Sequence, residues 1–144
     1  MTVAIAALGT LLKCGNGASP EVFTTIADVM SITGPTIAAE VVEVTSHSSP
    51  NAWREFIPTL LDPGEVSFDI NFAPTEATQS QSTGVLRDLK NRTLRNMKLV
   101  FPDSGSTTWS YAGYFTKFES KEPTDGKVTA AVTIRLTGQP TLAG

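Results

Sequence analysis

The feature that most constrains this chain is a strict alternation of apolar and polar residues in two places. Val66, Phe68, Ile70 and Phe72 alternate with Ser67, Asp69 and Asn71. Further on, Val128, Ala130, Val132, Ile134 and Leu136 alternate with Thr129, Ala131, Thr133, Arg135 and Thr137. Successive side chains on an extended strand point to opposite faces, so a period of two sends one face to a core and leaves the other wetted. Both segments predict half-buried antiparallel strands. Weaker candidates, rich in Val, Ile, Thr and aromatic residues, cover residues 23–33, 38–46, 96–101 and 107–120, which makes about six strands in all.

Punctuation between these segments is regular. Gly34-Pro35, Pro63-Gly64, the run from Pro102 to Gly105 and the run from Pro123 to Gly126 each combine a fixed φ with a permissive glycine, and such pairs fold a chain back on itself. The last two predict hairpins. A single helix is expected over residues 82–92, with Val85, Leu86 and Leu89 on one side and Arg87, Asp88, Lys90 and Asn91 on the other. Two stretches carry no periodicity: an N-terminal arm over residues 1–20 and a long loop over residues 47–64. That loop holds Trp53, Phe56, Ile57, Leu60 and Leu61, a payload too apolar for a solvated connection or for disorder, so it is expected to dock on something. Nothing divides the chain, and residues 1–144 read as one mainly β domain, a sandwich or barrel with one short helix. Open sheets of this kind present unpaired edges, and association with other chains satisfies them.

Composition narrows function by exclusion. Hydrophobic residues make up 40% and charged residues 17% of the chain, lean for a monomer that must wet its whole surface. A net charge of -3 and a pI near 5.1 speak against tight binding of nucleic acid, which needs clustered cations. The one cationic cluster, Arg87, Lys90, Arg92, Arg95 and Lys98, reads as a solvated helix face or a salt-bridging surface for a neighbour. Trp109, Tyr111, Tyr114, Phe115 and Phe118 read as core on one strand face and contact surface on the other.

Chemistry-bearing constellations are not found. The single Cys14 closes no internal disulfide and reads as a free thiol in a reducing compartment. His47 lies among Ser46, Ser48 and Ser49, but sequence neighbours do not make a triad. Gly15-Asn16-Gly17 lacks the remainder of a phosphate loop, and no metal set or cofactor motif is present. The apolar start from Val3 to Leu12 has no basic residue ahead of it and is too short to span a bilayer. A product made in the cytoplasm without a membrane anchor is expected.

Several segments, read together and in order, resemble the major tail tube proteins of phages with long non-contractile tails. The resemblance runs through Gly9-Thr10-Leu11-Leu12, Phe23-Thr24-Thr25-Ile26-Ala27-Asp28-Val29, Ile32-Thr33-Gly34-Pro35 and Val44-Thr45-Ser46-His47-Ser48. It continues through Trp53-Arg54-Glu55-Phe56-Ile57-Pro58, Leu61 to Phe68, Phe101-Pro102-Asp103, the Trp109 strand with Gly113-Tyr114 and Phe118-Glu119, and Thr133 to Gly138 followed by Pro140. Thr59 departs from the pattern, where a glycine is expected. The resemblance implies a non-enzymatic virion subunit whose sheets join those of its neighbours into rings, usually hexameric, stacked as a hollow tube for DNA. Implied partners are copies of itself and the tape-measure, tail tip and tail terminator proteins, with DNA passing unbound. A tube subunit of a related secretion or injection machine and a monomeric β-sandwich binding module are the alternatives. On the tube reading, Trp53, Arg54, Phe56, Ile57, Leu60 and Leu61 of the loop are expected to contact an adjacent subunit or ring. Leu8, Leu11 and Leu12 of the arm are expected to do the same. Glu40, Glu43 and Asp69, on a polar sheet face, are the candidates for a lumen that repels phosphate.

Overall fold

The computed structural model describes residues 4–143. In chain order the strands are β1 (Leu11–Gly15), β2 (Phe23–Thr25), β3 (Val29–Thr33), β4 (Ala38–Glu43), β5 (Phe56–Asp62) and β6 (Glu65–Asn71). The helix α1 (Val85–Asn91) follows, then β7 (Arg95–Val100), β8 (Thr108–Lys121) and β9 (Thr129–Ala143). Seven strands form one sheet in the order β2-β1-β7-β8-β9-β6-β3, and β4 and β5 form a separate two-stranded sheet. Every pairing is antiparallel.

The two alternating segments sit at the centre of this architecture. β6 pairs in unbroken register with β9, from Glu65 opposite Arg135 to Asn71 opposite Thr129. Val66, Phe68 and Ile70 meet Val132, Ile134 and Leu136 in a buried core completed by Leu12, Met97, Leu99, Tyr111 and Phe115. Burial of one such side chain contributes about 1.5–3 kcal/mol by area. The expected hairpins are the β7–β8 and β8–β9 connections.

The sheet curls because its two edge strands are consecutive in the chain. Only residues 26–28 separate β2 from β3, a span that reaches roughly 14 Å at most. The sequence predicts one strand over residues 23–33; the structure breaks it at Asp28, whose φ is +56°. On one side Ile26 N–H donates to the Leu12 carbonyl at 2.9 Å, and on the other Asn71 N–H donates to the Asp28 carbonyl at 2.9 Å. The bridging segment is then stitched from inside. Gln79 is fully buried; its Nε2 donates to the Ala27 carbonyl at 2.8 Å and the Asn71 carbonyl at 3.2 Å, and its Oε1 accepts from Ala73 N–H at 2.8 Å. Thr78 Oγ1 accepts from Ala27 N–H at 3.0 Å. A buried backbone group must find a partner, and here side chains replace the missing strand.

α1 packs on the sheet through Val85, as its periodicity predicts, but Asp88 is also buried and not on a solvated face. Asp88 Oδ1 accepts from Arg95 Nε at 3.0 Å and Nη2 at 2.9 Å, and from Arg87 Nε at 3.2 Å. Two guanidinium groups thus compensate one carboxylate removed from water. Two members of the expected cationic cluster are consumed inside the chain.

Candidate assembly surfaces

β4 and β5 do not join the main sheet. They pair with each other, from Ala38 opposite Asp62 to Glu43 opposite Phe56, with a register shift between Ala39 and Val41. This hairpin replaces the irregular loop expected over residues 47–64, and β5 begins at Phe56. The physical reason is that Phe-Ile-Pro-Thr-Leu-Leu has no alternation for a period-two reading to find. The pairing nevertheless places Phe56, Pro58 and Leu61 on the face of Val41 and Ile57 on the face of Val42, because the bulge in β5 shifts the alternation between Pro58 and Leu61. Cross-strand, Val42 faces Ile57 and Val41 faces Pro58. The hairpin is therefore apolar on both faces, and both are open to solvent: Leu60 and Leu61 are 73% and 74% exposed, and Phe56 is 51% exposed.

The connection between the two strands is ordered by its own polar groups. Val44 N–H donates to the Glu55 carbonyl at 2.8 Å, Glu55 N–H to Thr45 Oγ1 at 2.9 Å, and Ser49 Oγ to Glu55 Oε2 at 2.8 Å. Arg54 pairs with Glu43 at 3.4 Å. A short helical turn, Pro50–Ala52, leads into Trp53, which is 73% exposed. Exposed His47 sits within this serine-rich loop, and the Ser46 and Ser48 hydroxyls, 3.1 Å apart, bond to each other.

At its root the hairpin is clamped to the main sheet. Asp62 accepts from Arg135 Nη2 at 2.9 Å and 3.1 Å through its two oxygens, and from Gly64 N–H at 2.9 Å. The Gly64 N–H, with Arg135, holds this carboxyl below the ordinary aspartate value. Gly64 has φ of +77°, and a Cβ there would collide with the Thr36 carbonyl, so only glycine allows the two ends of the hairpin to meet this closely. Beside the clamp, Ile37, Leu61, Pro63 and Pro140 border an open groove of about 430 Å³.

The N-terminal segment divides at Leu12. Leu8 and Leu11 are exposed, but Leu12 is 1% exposed, because β1 lies between β2 and β7 in the main sheet with Leu12 opposite Leu99. Leu12 is a core residue, a correction to the expected arm contact. The acidic trio also separates. Glu40 is on the hairpin and Glu43 is ion-paired there, whereas Asp69 is on the outer face of β6, accepting from Ser31 Oγ at 2.9 Å. The three share no sheet face. Tyr111 and Phe115 are core, Trp109 and Phe118 pack against it, and Tyr114 is exposed, as the two-face reading expects.

Cys14 is a free thiol. Burial first, and the nearby Asp88 charge second, push its pKa up to about 11, which leaves it protonated and unreactive at neutral pH. Among the described residues no three His, Cys, Asp or Glu side chains are grouped to hold a metal ion, and no helix is long and apolar enough to cross a membrane.

A saturated β domain that carries a clamped, doubly apolar hairpin defines a self-assembling structural subunit. Residues 8–143 match the family described as Lambda phage tail tube protein, TTP, and the chain belongs to that family. It is a structural subunit of a phage tail tube, and its place is the virion tail. The fold is similar to a chain in the tail of an empty gene transfer agent particle, determined by helical refinement with C6 symmetry. Identity is 18%, the TM-score is 0.76, and the match covers 98% of this chain and 100% of that one. It is similar to the SPP1 tail tube at 10% identity and a TM-score of 0.73, covering 98% and 80% of the two chains. A chain of the anti-feeding prophage baseplate is similar at 11% identity and a TM-score of 0.73, covering 100% and 98%. No curated protein matches the chain.

Proposed function

We propose that the protein polymerises as stacked, hexameric rings into a hollow tube through which DNA passes, and that it catalyses no reaction. The observation that carries this reading is the hairpin. A two-stranded sheet is marginal alone in water, and one with large apolar residues on both faces needs cover on both. Copies of the same chain supply it: Trp53, Phe56, Ile57, Leu60 and Leu61 would pack on neighbouring subunits, with Leu8 and Leu11 of the arm adding contacts. The C6 symmetry of the gene transfer agent tail supports six subunits per ring. Residues 1–144 act on this reading as a single tube domain with two projecting contact elements.

The tape-measure, tail tip and tail terminator proteins are the further partners the reading implies. DNA is not clasped, since the chain carries a net charge of -3 and like charge repels phosphate over about 8 Å at physiological salt. Asp69, on the outer face of the main sheet, is the lumenal candidate of that sheet. The fold is also found in contractile injection systems, so fold alone does not select DNA as cargo; the family match favours the phage tail.

Electron microscopy of the purified protein tests the proposal. Hollow tubes are expected for the wild type, and Phe56→Asp is expected to abolish them while leaving the circular dichroism of the monomer unchanged, because Phe56 lies outside the core. A wild-type protein that stays monomeric at high concentration, with tail initiator proteins added, would overturn it.

A further inference from the structure

The charge of this chain is distributed very unevenly. Between Ala38 and Asp62 stand Glu40, Glu43, Glu55 and Asp62 against the single Arg54, a balance of -3 that equals the whole chain's -3. The other 10 carboxylates are matched by the other 10 cations, so everything outside the hairpin is neutral as a whole. It is not neutral locally. Lys13 and Lys98 stand directly opposite each other on β1 and β7, a pairing of like charges that is unfavourable unless a counter-charge is near. Lys98 Nζ lies 4.3 Å from the centre of the Phe23 ring, and Lys90 and Arg92 are exposed at the end of α1. Among the described residues none of these four cations forms an ion pair. Glu21, bonded to Asn96 and Gly17, is the acid at the patch's edge.

The other lysine cluster cannot substitute for this patch. Around the β8–β9 turn, Lys117, Lys121 and Lys127 are offset by Glu119, Glu122 and Asp125. The hairpin leaves the sheet on the β6–β3 side of the strand order, and the basic patch lies on the β1–β7 side. An acidic projection and a separate basic surface on one molecule satisfy each other head to tail, the arrangement that closes rings or propagates filaments.

We propose that the hairpin of one copy docks on the basic α1–β7–β1 surface of a second copy. Glu40 and Glu55, which form no ion pair among the described residues, would meet Lys13, Lys90, Arg92 and Lys98. Glu40 then belongs to a contact between subunits and not to a lumen. This inference rests on the tube reading and names the receptor for its hairpin.

The test is the rate of tube formation, followed by light scattering with microscopy of the product. Raising salt from 50 to 500 mM is expected to slow the wild type by about tenfold, since screening weakens the encounter of opposite charges. K90E/R92E/K98E and E40K/E55K are each expected to slow it by at least about tenfold at low salt, and combining the two sets in one chain is expected to restore the rate to within about threefold. Wild-type rates in the K90E/R92E/K98E variant, or no rescue in the combined variant, would overturn the docking while leaving the tube intact; a wild type that forms no tubes at any salt would overturn both. Zero-length carbodiimide crosslinking of wild-type tubes needs no variant to fold. Links from Glu40 or Glu55 to Lys90, Lys98 or Lys13 between copies support the contact, and links confined to Lys117, Lys121 and Lys127 refute it.

Discussion

The seven-stranded sheet and the β4–β5 hairpin are built from similar residues and have opposite fates. In the sheet, Val66, Phe68 and Ile70 reach 0–2% exposure, because β9 and β3 flank them and the curled sheet closes over their face. In the hairpin, Val41, Phe56 and Leu60 remain 51–73% exposed, because two strands have no second layer. The difference teaches that apolar content does not set burial; topology does. The sheet buries its apolar face within one chain, and the hairpin does not.

The comparison breaks most sharply in a pair of phenylalanine truncations. Phe68→Ala is expected to cost about 3–5 kcal/mol by transfer and cavity terms, whereas Phe56→Ala is expected to stay within about 0.5 kcal/mol for the monomer. Denaturant unfolding of the two variants measures both, and comparable losses would mean that the hairpin already packs within its own chain. Next in size is Gln79→Ala. It strips partners from Ala27, Asn71 and Ala73 at the point where the sheet's two edges approach, and each buried group left unpaired costs about 1–3 kcal/mol. Partial relief by buried water puts the expected total near 3 kcal/mol. Amide exchange at residues 26–28 should rise before exchange in β6 and β9.

The smallest effect concerns the clamp between the two regions. Asp62 has a folded pKa held below 3.8 by Gly64 N–H and Arg135. A depressed carboxyl stabilises the folded form above its unfolded value, and the contribution disappears as pH falls through the folded value. The root of the hairpin is therefore expected to loosen below about pH 3.8, with β6 and β9 unaffected. Asp62→Asn should remove that pH response, read as amide exchange at Gly64. A response of equal size in the variant would remove Asp62 from the mechanism.

Legibility in the sequence followed the same division. β6 and β9 were readable because one dry face and one wet face produce alternation. β5 was not, because apolar residues on both of its faces produce a continuous apolar run that looks the same in a loop or a strand. β1 was hidden for another reason: Leu11–Gly15 is short, and its place between β2 and β7 depends on residues far along the chain. No local signal marked Gln79 or Asp88 as buried, since each is buried only by partners that the fold supplies, Ala27 and Asn71 for one and Arg95 for the other.

What the sequence determined by itself was the β class, the central pair of strands, and the presence of an apolar segment with nowhere to go in a small domain. Periodicity and composition are local properties, and they sufficed for these. Only the tertiary structure decided that this segment is a clamped hairpin, that Leu12 is core, and that Glu40 and Asp69 lie on different sheets. Those outcomes depend on register and strand order, which are set by contacts between residues distant in the chain.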